Sequence, residues 1–132
     1  MKSYTDLEQS KKLAKILPLS SADMRYGYIA PYDYSDRMYD GGYDEIPYPK
    51  DFLIKNPNFS ANEYDAELPC WSLVALINIL PRVDIEKEIR SDDTFDYRVK
   101  AYIDDGYIGE WFNNPVDACV EMILKLHEQT LL

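Results

Sequence analysis

The 132 residues predict an α+β fold, with three helices on one face of a small antiparallel sheet, and three observations carry that reading. Capping residues and prolines bracket apolar segments at about 6–17, 70–80 and 115–128. An Asp-Gly turn separates two alternating runs between 97 and 111. Residues 25–67 hold neither helical periodicity nor a low-complexity repeat, and so predict a long irregular layer rich in tyrosine. Burial at this length supports a single domain, 1–132, without staples.

The first helix is marked by Thr5-Asp6-Leu7-Glu8, the spacing of a capping box in which hydroxyl and carboxylate satisfy opposite backbone amides. Leu7, Leu13, Ala14 and Leu17 follow at helical spacing, and Pro18 ends the segment. The second helix, PCWSLVALINIL, lies between Pro69 and Pro81. It is apolar almost all round, which predicts a buried central element. Tyr97 to Trp111 reads as a hairpin about Asp104-Asp105-Gly106, since Asp-Gly suits a turn needing positive φ. Tyr97, Val99, Ala101 and Ile103 share its buried face, and alternation adds Trp111. The last helix opens with Asn114 as N-cap, Pro115 in the first turn and Asp117 at the positive end of the dipole. Val116, Cys119, Val120, Ile123, Leu124 and Leu126 form its core stripe.

Between these elements, seven of the twelve tyrosines fall in YGYIAPYDYSDRMYDGGYDEIPYP, residues 26–49. Tyr26, Tyr28, Tyr32 and Tyr34 alternate with other residues, so an extended backbone lines their phenols along one face. Pro31 cannot donate to a central ladder and places that strand at an edge. With Tyr39, Tyr43, Arg25 and Arg37 these tyrosines are the candidate binding residues. Tyrosine supplies large, partly polar contact area for little lost entropy. The competing reading lays the same rings over the core as its cover.

Charge narrows the partners. Residues 1–22 carry +2, residues 23–67 carry −6 and residues 68–132 carry another −6, for a net −10. Such a surface repels phosphate backbones and anionic lipid, so direct nucleic-acid binding is not expected. Chemistry-bearing residues are few. His127 is the only histidine, and with Cys70 and Cys119 it cannot build an all-cysteine or histidine-rich metal site. Cys119 and His127 stand about 12 Å apart along one helix, too far for a nucleophile and its base. The acids of 33–45 do not follow the ligand order of a calcium loop, and Gly41-Gly42 does not open a phosphate-binding helix. No cofactor and no enzymatic activity are expected. Two cysteines in apolar settings, a polar N-terminus and the lack of any long apolar run predict a reduced, cytoplasmic chain outside the membrane.

Three segments, TDLEQSKKLAKILPLSSADM, CWSLVALINILP and GEWFNNPVDACVEMILKL, resemble short uncharacterised proteins of Bacteroides-type gut bacteria, their prophages and mobile elements. The resemblance covers under half of the chain, leaves out 25–67, and brings no activity or site residues. It implies a small accessory protein of a phage or mobile element. The expected function is therefore binding through the Tyr26–Tyr48 layer, to a protein partner or a second copy of the chain. Two alternatives stand beside it: a small-molecule sponge for a nucleotide signal, using Arg25 and Arg37, and an acidic mimic of DNA.

Overall fold

A computed structural model of the chain describes residues 1–29, 32–34, 37–39, 41–49 and 68–132, and gives the backbone alone at 29, 32–34 and 37–39. The α+β class holds: three helices and small antiparallel sheets make up the described residues. Helix α1 spans Leu7–Ala14 and begins one residue later than its capping box predicts. Asp6 is the N-cap: its carboxylate accepts from the Gln9 amide at 2.8 Å, and the Gln9 side chain accepts from the Asp6 amide at 3.1 Å. Thr5 is unavailable because it is buried. Its backbone N–H donates to the Trp71 carbonyl, its hydroxyl accepts the Trp71 N–H at 3.1 Å, and that hydroxyl lies 2.8 Å from the Ser10 hydroxyl. The helix also stops at Ala14 rather than Leu17, with Lys15 as C-cap and the turn before Pro18 unwinding.

The segment expected as a helix over 70–80 divides in two. Strand β1 (Met24–Tyr26) takes β7 (Leu68–Cys70) on one side and β6 (Tyr48–Pro49) on the other, all antiparallel. Pro69, which lacks a donor, sits opposite Arg25. Helix α2 then runs only over Leu73–Ile79, capped by the Ser72 hydroxyl on the Ala75 amide at 3.2 Å. Nor is it buried on every side. Leu76 is fully enclosed, whereas Val74 is 66% exposed. A short apolar run has no periodicity that separates buried strand from buried helix, so only the Ser72 cap marked the change.

The second sheet is a three-stranded meander. Strand β8 (Val83–Ile89) was not expected; it pairs along its whole length with β9 (Phe95–Ala101), from Val83↔Ala101 to Ile89↔Phe95. Strand β10 (Tyr107–Ile108) flanks β9 on the other side. The turn into β10 is wider than a two-residue hairpin: Ala101↔Tyr107 closes it, with positive φ at Asp104 (56°) and Gly106 (89°). Beyond β10 the chain bulges. Gly109 donates to the Val99 carbonyl, while Phe112 exchanges both bonds with Tyr97, so three steps on one strand oppose two on the other. The extra residue moves Trp111 off the buried face that alternation predicts. Its ring instead lies under the Arg98 guanidinium, 4.5 Å from the centroid, and Phe112 packs against the core.

Helix α3 (Pro115–Glu128) matches expectation, with the Asn114 side chain accepting from the Asp117 amide at 2.8 Å. Val116, Cys119, Val120, Ile123 and Leu126 are buried, together with Trp71, Leu76, Val99 and Ala101, in the main core. The helix passes so close to the residue after β10 that a Cβ on Gly109 would stand 2.7 Å from the Glu121 carboxylate.

Candidate binding face

Strands β2 (Tyr28–Ile29), β3 (Tyr32–Tyr34), β4 (Arg37–Tyr39) and β5 (Gly42–Tyr43) make the tyrosine-rich segment far more regular than expected. β2 pairs with β5 and β3 with β4, both antiparallel. Tyr28 stands opposite Tyr43, Tyr32 opposite Tyr39, and Tyr34 opposite Arg37. Each pairing makes a short two-stranded ribbon of its own among the described residues. Residues directly opposite share a face, and so do residues two apart. The register therefore places positions 28 and 43 on one face of the first ribbon and positions 32, 34, 37 and 39 on one face of the second, so six of the eight candidate residues lie on paired positions. Pro31, on which the edge-strand expectation rested, lies outside the described residues.

The Tyr28–Tyr43 rung is described in full. The Tyr28 and Tyr43 rings meet edge to face, 5.0 Å apart at 62°. Tyr43 leans on a second apolar cluster formed by Tyr26, Leu68 and Cys70, and the Lys11 ammonium lies 5.8 Å from its ring. Below this rung the ribbon widens. Tyr26-Gly27 oppose the longer stretch Asp44–Pro47 before Arg25↔Tyr48 restores the pairing. Asp44 donates its amide to the Gly27 carbonyl, while burial raises the pKa of its carboxyl, one oxygen of which finds no hydrogen-bond partner.

Two candidates leave the face. Tyr26 is 2% exposed, and its hydroxyl donates to the Thr5 carbonyl at 2.7 Å. Burial, the chief cause, pushes its pKa up. It is a core residue, because β1 is the middle strand of its sheet and not an edge. Arg25 is half-buried in the same middle strand, away from the rungs. A groove of about 480 Å³ opens beside α1, lined by Tyr4, Leu7, Glu8, Tyr26 and Glu45 among others. Sequence reading passed over Tyr4, whose place beside the layer depends on the pairing of Tyr4 with Ser72.

Elsewhere the reactive groups are enclosed. Cys70 and Cys119 are free thiols with no exposed surface, and burial raises both, Cys119 to about 12. His127 lies in the exposed last turn of α3. Among the described residues no cluster of His, Cys, Asp or Glu could hold a metal ion, and no helix is long and apolar enough to cross a membrane. Compared with known proteins, the chain matches no family model, no curated protein and no solved structure.

Proposed function

We propose that this chain is a non-enzymatic binding protein, an accessory of the phage or mobile-element kind, that holds a protein partner on the tyrosine-bearing ribbons of β2–β5 and β3–β4 in the bacterial cytoplasm. The observation that supports this best is the register: Tyr28 stands opposite Tyr43 in one ribbon, and Tyr32, Tyr34, Arg37 and Tyr39 share one face of a second. Tyrosine and arginine are the side chains most enriched among residues that dominate binding energy. The buried free thiols fit a reducing compartment. Replacing Tyr32 and Tyr39 together by alanine removes a whole rung. Capture of the partner from a native lysate should fall by about 30-fold, the loss of one anchor pair at about 2 kcal/mol, with circular dichroism unchanged. Undiminished capture by a folded double variant rejects the reading.

The opposition of Tyr34 and Arg37 favours one other occupant, a nucleotide whose base stacks on the rungs and whose phosphate meets the guanidinium. A thermal-shift screen separates the two, because a ligand at about 100 times its Kd adds about 2.7 kcal/mol of stability. A flat screen leaves the protein partner.

A further inference from the structure

The meander ends on an open side. In the order β10-β9-β8, strand β8 has one neighbour among the described residues. Arg90 donates to the Thr94 carbonyl and Tyr102 donates to the Arg82 carbonyl, which fixes the even positions of β8 as those bonded to β9. Antiparallel ladders alternate, so the N–H and C=O groups of Val83, Ile85, Lys87 and Ile89 point the other way, along the free edge. Seven residues without proline, glycine or bulge make that edge a ready template for another strand.

Its two faces specify what would pair there. On the α3 side, Ile89 is 66% exposed and Ile85 and Phe95 are each 37% exposed. The helix covers β9 and leaves this apolar strip uncapped. The Lys87 ammonium, the one charge on the strip, lies 3.9 Å from the centroid of the Phe95 ring. The opposite face of β8 presents Asp84, Glu86 and Glu88. Glu86 already holds Arg98 at 2.9 Å and Lys100 at 2.6 Å, and Asp84 accepts from the Tyr102 hydroxyl. Asp84 and Glu88 enter no ion pair among the described residues, so the row keeps their negative charge.

We infer that the β8 edge receives an extended segment of a basic protein, with lysine or arginine at every second position and β-branched residues between. Such a strand sets its cations beside Asp84, Glu86 and Glu88 and its apolar side chains beside Ile85 and Ile89. The same pattern opposes a second copy of this chain. Any antiparallel register that keeps the isoleucines on one face places acid opposite acid, for example Asp84 against Glu88 about a centre at Glu86, and like charges directly opposite repel. The edge is separate from the tyrosine ribbons, so either proposal can fail alone.

The test uses the full chain and fluorescent nine-residue peptides followed by anisotropy. One peptide alternates lysine with valine and isoleucine, one is its shuffled isomer, and one carries glutamate for lysine. The alternating basic peptide should bind, the shuffled isomer about tenfold more weakly, and the acidic one not at all. Lys87→Pro removes an outward N–H without touching the β8–β9 ladder and should weaken binding about tenfold. Glu88→Lys, at an exposed position, checks the charge row should the proline variant fail to fold. Removing Tyr32 and Tyr39 should leave peptide binding intact. Equal binding of the shuffled peptide overturns the proposal, as does indifference to both β8 variants. Self-association abolished by Lys87→Pro or Glu88→Lys would assign the edge to a second copy and overturn it too.

Discussion

The Tyr26 hydroxyl donates to the Thr5 carbonyl in a space closed to water, and the Cys70 thiol donates to that carbonyl as well. Tyr26→Phe therefore keeps the ring's packing and removes one of two donors. Chemical denaturation should show a loss of about 1 kcal/mol, the usual net worth of such a bond, with partner capture unchanged. A loss of capture with stability intact would return Tyr26 to the binding face. Glu121 offers a second residue-scale test. Burial raises its pKa, and one carboxylate oxygen has no hydrogen-bond partner. A carboxyl raised in the folded state contributes stability while protonated and loses it as pH rises through the folded value. Glu121→Gln removes that loss, so it should raise Tm more at pH 8 than at pH 4. Equal shifts at both pH values would show that the carboxylate is well solvated.

At the scale of elements, the starts of α2 and α3 differ in what their caps hold. The Ser72 hydroxyl accepts from Ala75 and binds the Asp23 carboxylate at an exposed site. Asn114 is buried; it caps Asp117 and donates to that residue's carboxylate, which also accepts from Lys2 and Gln9. Asn114→Ala should cost about 2 kcal/mol and Ser72→Ala about 1 kcal/mol in urea unfolding. The reverse order would mean that the link from α1 to α3 adds little. Local signals of this kind explain what the sequence disclosed. Asn114-Pro115 placed α3 to the residue, because cap and fixed φ both act within one turn. Strand β8 alternates as well, but Lys87 interrupts its apolar positions, and its partner lies across a turn held by Asp93 at φ 62°. Strand β7 was illegible, since its pairing with β1 spans more than forty residues. The bulge at Trp111 escaped for a further reason: one inserted residue reverses the facing of everything after it, and no residue type announces it. The tyrosine face was half legible. Alternation gave positions 28, 32 and 34, but only the strand pairings brought Tyr43 opposite Tyr28 and Arg37 and Tyr39 opposite Tyr34 and Tyr32.

For the whole molecule, net charge and the placement of titrating groups set how stability follows pH. A chain at −10 repels itself in the compact state, so added salt at pH 7 should raise Tm by screening. Lowering the pH acts through two opposed sets of carboxyls. Burial raises Asp44 and Glu121, so folding takes up protons there and gains stability as pH falls from neutral. Asp6 and Asp117 behave the other way. Burial pulls each upward, but for Asp6 the Gln9 amide and Lys2, and for Asp117 Lys2, Asn114 and Gln9, outweigh it and hold both below their ordinary value. Their contribution is present above the ordinary aspartate range and is lost as pH falls through the depressed folded values. The same step releases Lys2, whose ammonium lies 2.8 Å from both carboxylates and ties the N-terminus and α1 to the start of α3. Tm should therefore climb as pH falls from 7 towards the ordinary carboxylate range, and fall once pH drops below the ordinary aspartate value of about 4. Lys2→Met should blunt the acid limb and leave the rise from neutrality in place. A Tm that declines steadily from pH 7 downward would mean that the Lys2 link, and not the buried carboxyls, governs the response throughout.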